Sequence, residues 1–564
     1  NSEDATVIIP VANVYPTINN EIKVKTIQIE QGASLSIHAN ASLEVVENCT
    51  NLGSIKNSGT LTINGNADFS SGTYTKADDD SDKLYINNNE TEQKKFVIGE
   101  NQPIGNLFVK GSYAFNSAFT CTNTLKIEEN AKVYLNKHAS LQTVENYGEF
   151  VCANDVVIDE LKNYKKTKVQ SGTLTINNYS KSLFVSSENP DTIELSEGAT
   201  LSIENDENTN LTITKIEFVK TENADDFATI STNGTLDVTN ATYNIGDIQT
   251  NGNISLPDTT EDNKIGKLKI ESGELTIDDL QATSLNVVAG TFKNTTMNVT
   301  SVENAGTIES TTVNVAGDLS NDGTMNVATT NVGGNLNDTG TWLAEGEINF
   351  AGTNDQSFDS KPATKYAKIN VENSGGIITI NDFLNVTNLQ INSNVIFEDS
   401  ATIGELSIDM KSSENENFVK FASEKTYTIT TLIGAKGNQN SKLKLASTND
   451  KLWNVYFENI PENSVFEFVE VSKSQSVDEN GSVKELNYIE DEEKLLSDEE
   501  CTTIGWFNFN SYYWTGNQST EWAEVENWAR RPNGNGKFAA APSKNSSTLE
   551  VYVLQTALNS LIEN

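Results

Sequence analysis

The sequence predicts an all-β fold, an elongated parallel β-helix (β-solenoid) that ends in an aromatic-rich C-terminal junction segment. The first observation is a short repeat, because Gly306, Gly323 and Gly340 lie 17 residues apart and each precedes Thr and a large apolar residue. The second is the alternation of polar and apolar residues between these glycines, and the third is the Asn, Asp or Gly at each corner. Such a fixed short period indicates coils that stack on one another.

An internal duplication places the first coils near the start of the chain. Residues 26–48 and 124–146 align without a gap, with ten identities in 23 positions. Apolar residues keep period two within each short strand, which directs one row of side chains to a core and the other to water. His38 and His138 do not align with each other in this duplication, so a paired metal or catalytic role for them loses support.

A second motif, Ser-Gly-Thr-Leu-Thr-Ile, occurs at 58–63 and again at 171–176. Glycine can adopt positive φ without a Cβ penalty. We therefore expect the glycine of this motif to form a corner, and the residues after it to enter the next strand.

The pattern divides the chain into five segments. We expect a boundary strand or cap at 1–23, β-solenoid coils at 24–410, longer and more aromatic closing coils at 411–477, an acidic loop at 478–505 and a tryptophan-rich start of a following module at 506–564. Closing coils have a physical reason, because an uncovered end of a solenoid presents a strand edge to other chains.

Charge and hydropathy exclude two classes of partner. The 564-residue chain has a net charge of −40, and its only arginines are Arg530 and Arg531. Nucleic-acid binding is not expected, because that affinity comes largely from Lys and Arg at phosphates. Membrane insertion is not expected either, since no run of 18 apolar residues occurs. The chain opens at Asn1 without a basic or apolar leader, so we expect any secretion signal to be removed or outside this sequence.

The four cysteines, Cys49, Cys121, Cys152 and Cys501, are too sparse for a disulfide framework and show no metal-binding spacing. We expect them to be buried or incidental side chains rather than ligands or reactive thiols.

An aspartate run at 78–82 supplies the only cation candidates, Asp78, Asp80 and Asp82. Closely spaced carboxylates suit Ca²⁺, but an EF-hand loop would need Gly at Lys83 and Glu at Asn89. The alternatives are a solvated loop and a weak Ca²⁺ site, and no other cofactor is predicted.

Four of the six tryptophans lie between Trp506 and Trp528, together with two tyrosines. Aromatic residues at this density form either a compact mini-core or a platform on which sugars stack. We favour the mini-core, with Trp514, Trp522 and Trp528 as candidate interaction or junction residues.

The chain resembles bacterial cell-surface proteins with adhesin-like β-helix repeats. Three features carry the resemblance: the motif Trp514-Thr-Gly…Trp522…Asn527-Trp528, the Gly-Thr-Leu-Thr-Ile coils, and Phe466-Glu-Phe-Val-Glu-Val ahead of Gly505-Trp506-Phe507. The resemblance implies a right-handed helix, an extracellular location at the cell surface and a tryptophan motif that opens a module.

In that family the tryptophan motif leads into a strand of the D-x-V-x-I-P type, and such a strand stands here at residues 4–10. Residues 1–20 also align with 545–564, with five identities in 20 positions. Together these features suggest a chain cut from an array of similar modules.

The resulting hypothesis is a non-enzymatic structural or adhesive β-solenoid module of a bacterial surface protein or filament. Its expected partners are neighbouring copies, joined end to end, and a host or glycan ligand is possible. Two alternatives stay open, a surface-layer component and a carbohydrate-binding or carbohydrate-degrading β-helix. The coils show dispersed acidic residues and no arginine, which argues against a lyase or hydrolase.

Overall fold

The prediction of a parallel β-solenoid is confirmed. A computed structural model describes residues 2–79, 81–90, 92–99, 102–179, 192–204, 210–220, 227–244, 246–343, 345–410, 416–507, 511–519, 521–531 and 550–554. These residues form about 22 turns of stacked parallel strands and no α-helix. The chain divides into two compact units, Asn1–Thr295 and Thr296–Asn564.

Unit 1 (Asn1–Thr295) contains the strands β1 Ser2–Ile9, β2 Thr17–Ile18, β3 Glu21–Ile29, β4 Ser34–Ile37, β5 Ser42–Val45, β6 Cys49–Asn51, β7 Ser54–Asn57, β8 Thr60–Ile63, β9 Ala67–Phe69, β10 Thr73–Thr75, β11 Lys83–Asn87, β12 Lys94–Ile98, β13 Pro103–Ile104, β14 Asn106–Lys110, β15 Ser112–Phe115, β16 Phe119–Ile127, β17 Lys132–Leu135, β18 Ala139–Asn146, β19 Glu149–Cys152, β20 Val156–Asn163, β21 Lys166–Val169, β22 Gly172–Tyr179, β23 Thr192–Ser196, β24 Ala199–Ile203, β25 Asn210–Ile213, β26 Lys215–Val219, β27 Ala228–Val238, β28 Ala241–Thr242, β29 Ile248–Ser255, β30 Ile265–Ser272, β31 Glu274–Thr276, β32 Asp279–Val287 and β33 Thr291–Lys293.

Unit 2 (Thr296–Asn564) contains the strands β34 Thr296–Val299, β35 Ser301–Asn304, β36 Thr307–Val315, β37 Leu319–Asn321, β38 Thr324–Val332, β39 Leu336–Asp338, β40 Thr341–Trp342, β41 Glu347–Phe350, β42 Gln356–Asp359, β43 Lys365–Val371, β44 Ile378–Ile380, β45 Leu384–Ile391, β46 Val395–Phe397, β47 Ala401–Asp409, β48 Asn417–Phe421, β49 Thr426–Lys436, β50 Leu443–Ser447, β51 Trp453–Phe457, β52 Phe466–Glu467, β53 Val469–Val471, β54 Ser474–Ser476, β55 Leu495–Ser497, β56 Ser511–Trp514, β57 Trp528–Ala529 and β58 Glu550–Val553. Two 3₁₀ helices, Asn463–Val465 and Val525–Asn527, accompany them.

The 17-residue repeat corresponds to one coil. Strand β36 pairs in parallel with β38, and Thr307 lies beside Thr324 while Val315 lies beside Val332. Each residue therefore contacts the residue 17 positions later, so the apolar row of one coil continues directly into the next. Met325 in the middle of this row is fully buried.

The duplication in unit 1 is also confirmed as a core pattern. Of the twelve aligned inward positions, eleven are buried, and the twelfth, Thr143, is half-buried. The buried positions are Ile27, Ile29, Leu35, Ile37, Leu43 and Val45 in the first copy and Leu125, Ile127, Val133, Leu135 and Leu141 in the second.

Glycine serves two different purposes at the corners. Gly172 of the second Ser-Gly-Thr-Leu-Thr-Ile motif has φ +74°, as predicted, whereas Gly59 of the first motif is not among the glycines with positive φ. Gly323 and Gly340 of the 17-residue coils are not among the glycines with positive φ. A Cβ on Gly340 would instead lie 2.3 Å from the carbonyl oxygen of Gly323, which belongs to the preceding coil. In these coils glycine is required because one backbone passes so close to the next.

Replacing Gly340 with Ala should therefore destabilise its coil by about 2 kcal/mol, because the neighbouring backbone must move away. The measurement is hydrogen exchange of the peptides that cover β38 to β40. Gly481 offers a control, since its φ is +80° and a Cβ there would meet nothing within 4 Å. Gly481→Ala should cost about 1 kcal/mol of stability, because the only penalty there is a Cβ on a backbone in the left-handed conformation. Equal costs at both positions would contradict the close-approach explanation.

Buried amide side chains hold several corners of the Asn-x-Gly type. The Gly148 N–H donates to Asn146 Oδ1 at 3.1 Å, and Asn146 Nδ2 donates to Asn163 Oδ1 of the next coil at 2.9 Å. Each amide thus satisfies its own corner and one neighbouring coil. Because buried polar groups are costly when unpaired, these amides fix the register of the coils.

Unit 2 contains the same device as a row of three residues, which we name the buried amide row: Asn304, Asn321 and Asp338. Asn304 Nδ2 donates to Asn321 Oδ1 at 2.8 Å, and Asn321 Nδ2 donates to Asp338 Oδ1 at 2.8 Å. All three residues are at most 3% exposed. Tyr366 closes the row, because its hydroxyl donates to Asp338 Oδ2 at 2.5 Å.

A continuous set of ion pairs crosses five coils on the surface of unit 1. Lys166 Nζ bridges Glu194 at 2.5 Å and Glu217 at 3.1 Å, and Glu149 lies 2.9 Å from Lys132 and 3.2 Å from Lys168. We name the set the charged row, and its members are Lys132, Glu149, Lys166, Lys168, Glu194, Lys215 and Glu217.

The charged row changes the acidity of two carboxyl groups. Burial alone would raise the pKa of Glu149, but hydrogen bonds from Lys132 and Lys168 and the charges of both lysines lower it below the ordinary value of 4.5. The hydrogen bond from Lys215 lowers the pKa of Glu217, and burial offsets part of that effect.

We expect the double variant Glu149→Gln/Glu217→Gln to be less stable than the unchanged chain by about 1 kcal/mol at pH 7. Carboxyl groups with lowered pKa values stabilise the fold above pH 4.5, and this contribution disappears as the pH falls through the lowered values. The difference should therefore be smaller at pH 3 than at pH 7, measured by urea unfolding at both pH values. Glu467→Gln/Glu479→Gln, two exposed positions, is the charge-matched control. A stability difference between the variant and the unchanged chain that is as large at pH 3 as at pH 7 would contradict the ion-pair explanation.

Candidate functional site

The predicted aromatic mini-core is present near the end of unit 2. Strand β56 lies between β57, which is antiparallel to it, and β58, which is parallel. The ring centroids of Trp514, Trp522 and Trp528 lie within 6.2 Å of one another, and the closest pair, Trp522 and Trp528, is 4.5 Å apart. We name these three residues the tryptophan cluster.

The tryptophan cluster is partly open. Trp528 is 2% exposed and Trp514 is 9% exposed, whereas Trp522 is 53% exposed. The Trp528 indole N–H donates to the carbonyl oxygen of Trp522 at 2.9 Å, which fixes the two rings at a right-angled contact. The cluster therefore combines a packed interior with one half-exposed ring, that of Trp522.

Asn527 organises the turn that carries the cluster. Its side chain is fully buried, and its Oδ1 accepts the main-chain N–H groups of Gln518 at 2.8 Å and Ser519 at 3.0 Å. Its Nδ2 donates to the carbonyl oxygen of Glu521 at 3.0 Å. One asparagine thus holds three points of the loop between β56 and β57.

Trp506 lies apart from the tryptophan cluster, although the sequence groups it with the other tryptophans. Its ring is 1% exposed and contacts the rings of Trp453, Phe457, Phe466 and Tyr488 at 6.0 to 6.4 Å. It therefore packs in the core of the last coils, although the sequence predicts that it belongs to the start of a following module.

The acidic segment at 478–505 is attached to these last coils. It contains strand β55, which pairs with β53, and the side chain of Leu495 in this strand is fully buried. The exposed loop expected here thus includes a strand of the solenoid.

The two arginines of the chain join the tryptophan cluster to the acidic segment. Arg531 Nη2 donates to Glu490 Oε1 at 2.8 Å and to the Ser497 carbonyl oxygen at 3.0 Å. Arg530 Nη1 donates to the Thr503 carbonyl oxygen at 3.1 Å. We name Arg530 and Arg531 the arginine clamp, since both come just after strand β57 and both reach back to the last coil.

Loss of the arginine clamp should free the tryptophan cluster from the coil without unfolding the solenoid. In Arg530→Gln/Arg531→Gln we expect at least tenfold faster hydrogen exchange in the peptides at 511–531, because a charged hydrogen bond contributes about 1.5–3 kcal/mol. The control is Lys436→Gln/Lys451→Gln, which removes the same charge from exposed ion pairs. Faster exchange throughout unit 2 in the clamp variant would contradict a local role.

The aspartates proposed for Ca²⁺ do not converge among the described residues. Asp82 is fully buried, and its Oδ2 accepts the hydroxyl of Tyr74 at 3.2 Å, whereas Asp78 lies in an exposed turn. Burial and then the Asp82 charge raise the pKa of Tyr74. Asp80 lies outside the described residues. Within the described ranges, no group of three or more His, Cys, Asp or Glu side chains could hold a metal ion.

The four cysteines are buried free thiols, as expected. Burial raises the pKa of Cys49 to about 12 and also raises the pKa of Cys152. Because the thiolate is the reactive form, burial lowers the reactivity of the Cys49 and Cys152 thiols.

An open groove of about 450 Å³ runs along unit 2, and sequence reasoning did not identify it. Its lining is formed by Asn, Gly and small apolar residues and includes no titratable side chain. Three asparagines of the lining, Asn298, Asn314 and Asn331, begin a row in which each donates to the one before at 2.6 to 2.8 Å. The row continues beyond the groove through Asn349 and the buried Asn370. The signal for this row was present in the Asn-Val and Asn-Phe dipeptides that recur at intervals of 16 to 21 residues.

The groove offers hydrogen bonds but no acid, base or nucleophile. Each amide in a row uses one donor and one acceptor and keeps further bonding capacity for a ligand. The tryptophan cluster offers an aromatic face instead. Two candidate surfaces therefore exist, one polar along the coils and one aromatic beyond the last coil.

No protein family, curated protein or solved structure matches this chain. In the described part, no helix has the length and apolar character needed to cross a membrane.

Proposed function

We propose that this chain is a non-enzymatic structural module of an extracellular β-solenoid protein at a bacterial surface. In this proposal the module joins neighbouring copies of itself through the tryptophan cluster. The observation that carries the proposal is the arginine clamp. The only two arginines of the chain fix the segment that carries the tryptophan cluster to the last coil.

The distribution of polar groups supports a structural role. Several buried polar side chains of the coils bond to one another, as in the buried amide row. Seven charged residues of unit 1 pair with one another along the charged row. The net charge of −40 keeps neighbouring bodies apart except where a specific contact forms. Such a surface suits a scaffold whose association is limited to one defined place.

A surface-layer component would use the same contacts in a different lattice. Glycan binding is a second candidate function, favoured by the groove of unit 2 with its uncharged amide row. A glycan array tests it, with Asn331→Leu as the variant that should lose binding, because Asn331 lies at the centre of the row.

Electron microscopy of the purified chain over a range of concentrations tests the structural proposal. We expect particles joined end to end, and a loss of joined particles in Trp522→Ala, which removes the exposed ring of the tryptophan cluster. Particles that stay separate at all concentrations would overturn assembly through this surface, and a positive glycan array would then favour the groove.

A further inference from the structure

Strand β1 at the start of unit 1 has an open edge. Residues Thr6–Ile9 pair in parallel with Thr26–Ile29 of β3, and no second strand pairs with β1 in the ranges described. The Glu30 N–H donates to the Ile9 carbonyl oxygen at 3.0 Å. Successive residues of a strand direct their main-chain groups to opposite edges, so those of Ile8 face away from β3.

The residues beside this edge are apolar and uncovered. Ile8 is 56% exposed, Val11 is 64% exposed and Val14 is 84% exposed. Exposed apolar side chains next to unpaired main-chain groups form a template for a further strand.

The chain contains a second strand, β58, whose sequence is similar to that of β1. The strand that pairs with β58 indicates what the open edge of β1 would bind. The alignment of 1–20 with 545–564 places Thr6–Ile9 on Glu550–Val553, which is strand β58. Three successive positions are apolar in both strands. In unit 2, β58 pairs in parallel with β56, with Tyr552 beside Tyr513 and Val553 beside Trp514.

The direction of the main-chain groups agrees in the two strands. The Leu554 N–H donates to the Trp514 carbonyl oxygen at 3.1 Å, so the main-chain groups of Tyr552 also face β56. Tyr552 aligns with Ile8, whose main-chain groups face the open edge of β1. Strand β1 therefore presents to solvent the same edge by which β58 binds β56.

We propose that Ser511–Trp514 of a second copy pairs in parallel with Thr6–Ile9, which takes the place and the register of β58 of that copy. Tyr513 of that copy then lies beside Ile8, and Trp514 lies beside Ile9. The ring of Tyr513, which stacks on Tyr552 at 5.2 Å within one copy, covers the exposed Ile8. This inference rests on the proposed function and defines the contact between copies.

Cysteine crosslinking between two full-length variants tests the register. One chain carries Ile8→Cys, and the other carries Tyr513→Cys with Tyr552→Pro, because proline removes a main-chain donor of β58 and opens the edge of β56. Partners in adjacent strands lie within the Cα separation of a disulfide. The four native cysteines are buried and do not compete.

We expect a disulfide-linked heterodimer under mild oxidation, at least tenfold more abundant than with Tyr512→Cys/Tyr552→Pro. Residues 512 and 513 point to opposite faces of the strand, so this control differs only in the side that carries the thiol. Equal yields from the two pairs would indicate random collision and would overturn the register.

A chain that contains two copies in tandem tests the same pairing without the Tyr552→Pro substitution. In it residue 544 of the first copy precedes Asn1 of a complete second copy, so that β1 of the second copy takes the place of β58. Tyr513→Cys in the first copy and Ile8→Cys in the second should form a disulfide that peptide mass spectrometry detects. Its absence overturns the pairing. If particles nevertheless join end to end in electron microscopy, the proposed function survives with another contact, whereas separate particles remove both.

Discussion

Trp506→Ala should open the last coils of unit 2 and cost about 3–5 kcal/mol, the range for removal of a buried tryptophan. The ring is 1% exposed, and it fills the space between Trp453 and Phe466. Its indole N–H donates to Ser474 Oγ at 2.9 Å, so the variant also leaves a buried hydroxyl without its donor.

Hydrogen exchange resolved by peptide measures this effect, because each coil of a solenoid depends mainly on its neighbours. Exchange should accelerate in β51 to β55 and stay unchanged in unit 1. Trp522→Ala is a control with the same change of residue type, and since Trp522 is 53% exposed it should cost under about 1 kcal/mol in the coils. Similar acceleration of the coils in both variants would contradict the assignment of Trp506 to the closing core.

The fold could be predicted from the sequence because parallel coils in register repeat their own pattern. Thr307 beside Thr324 is a contact that the 17-residue spacing already contains. The charged row could not be predicted in this way. Lys166 and Glu217 are 51 residues apart, and the lengths of the intervening corners decide whether their side chains meet.

In the candidate site, too, the local features could be predicted from the sequence and the long-range contacts could not. The tryptophan cluster was predictable because Trp514, Trp522 and Trp528 lie within one short motif. The partners of Arg531, Glu490 and Ser497, lie 41 and 34 residues earlier, so no local pattern indicates the arginine clamp. The position of Trp506 depends likewise on distant coils.

Asn321→Asp should be the most informative change in the buried amide row, because it keeps the volume of the side chain and replaces a donor with an acceptor. The new carboxylate would face Asp338 Oδ1 at the present hydrogen-bond distance of 2.8 Å. Two carboxylates in this buried position cannot both ionise, so the pair should bind a proton at neutral pH. We expect a cost of about 3 kcal/mol at pH 7.

The pH dependence separates this explanation from simple loss of packing. The folded variant holds a proton that the unfolded chain releases above about pH 4. Its stability relative to the unchanged chain should therefore increase as the pH falls from 7 towards 4. Asn337→Asp is the matched control, because Asn337 is exposed on the same strand as Asp338 and should lose under about 0.5 kcal/mol. Urea unfolding at pH 7 and pH 4.5 measures both variants, and a pH-independent cost for Asn321→Asp would show that the amide row does not fix the coils through its hydrogen bonds.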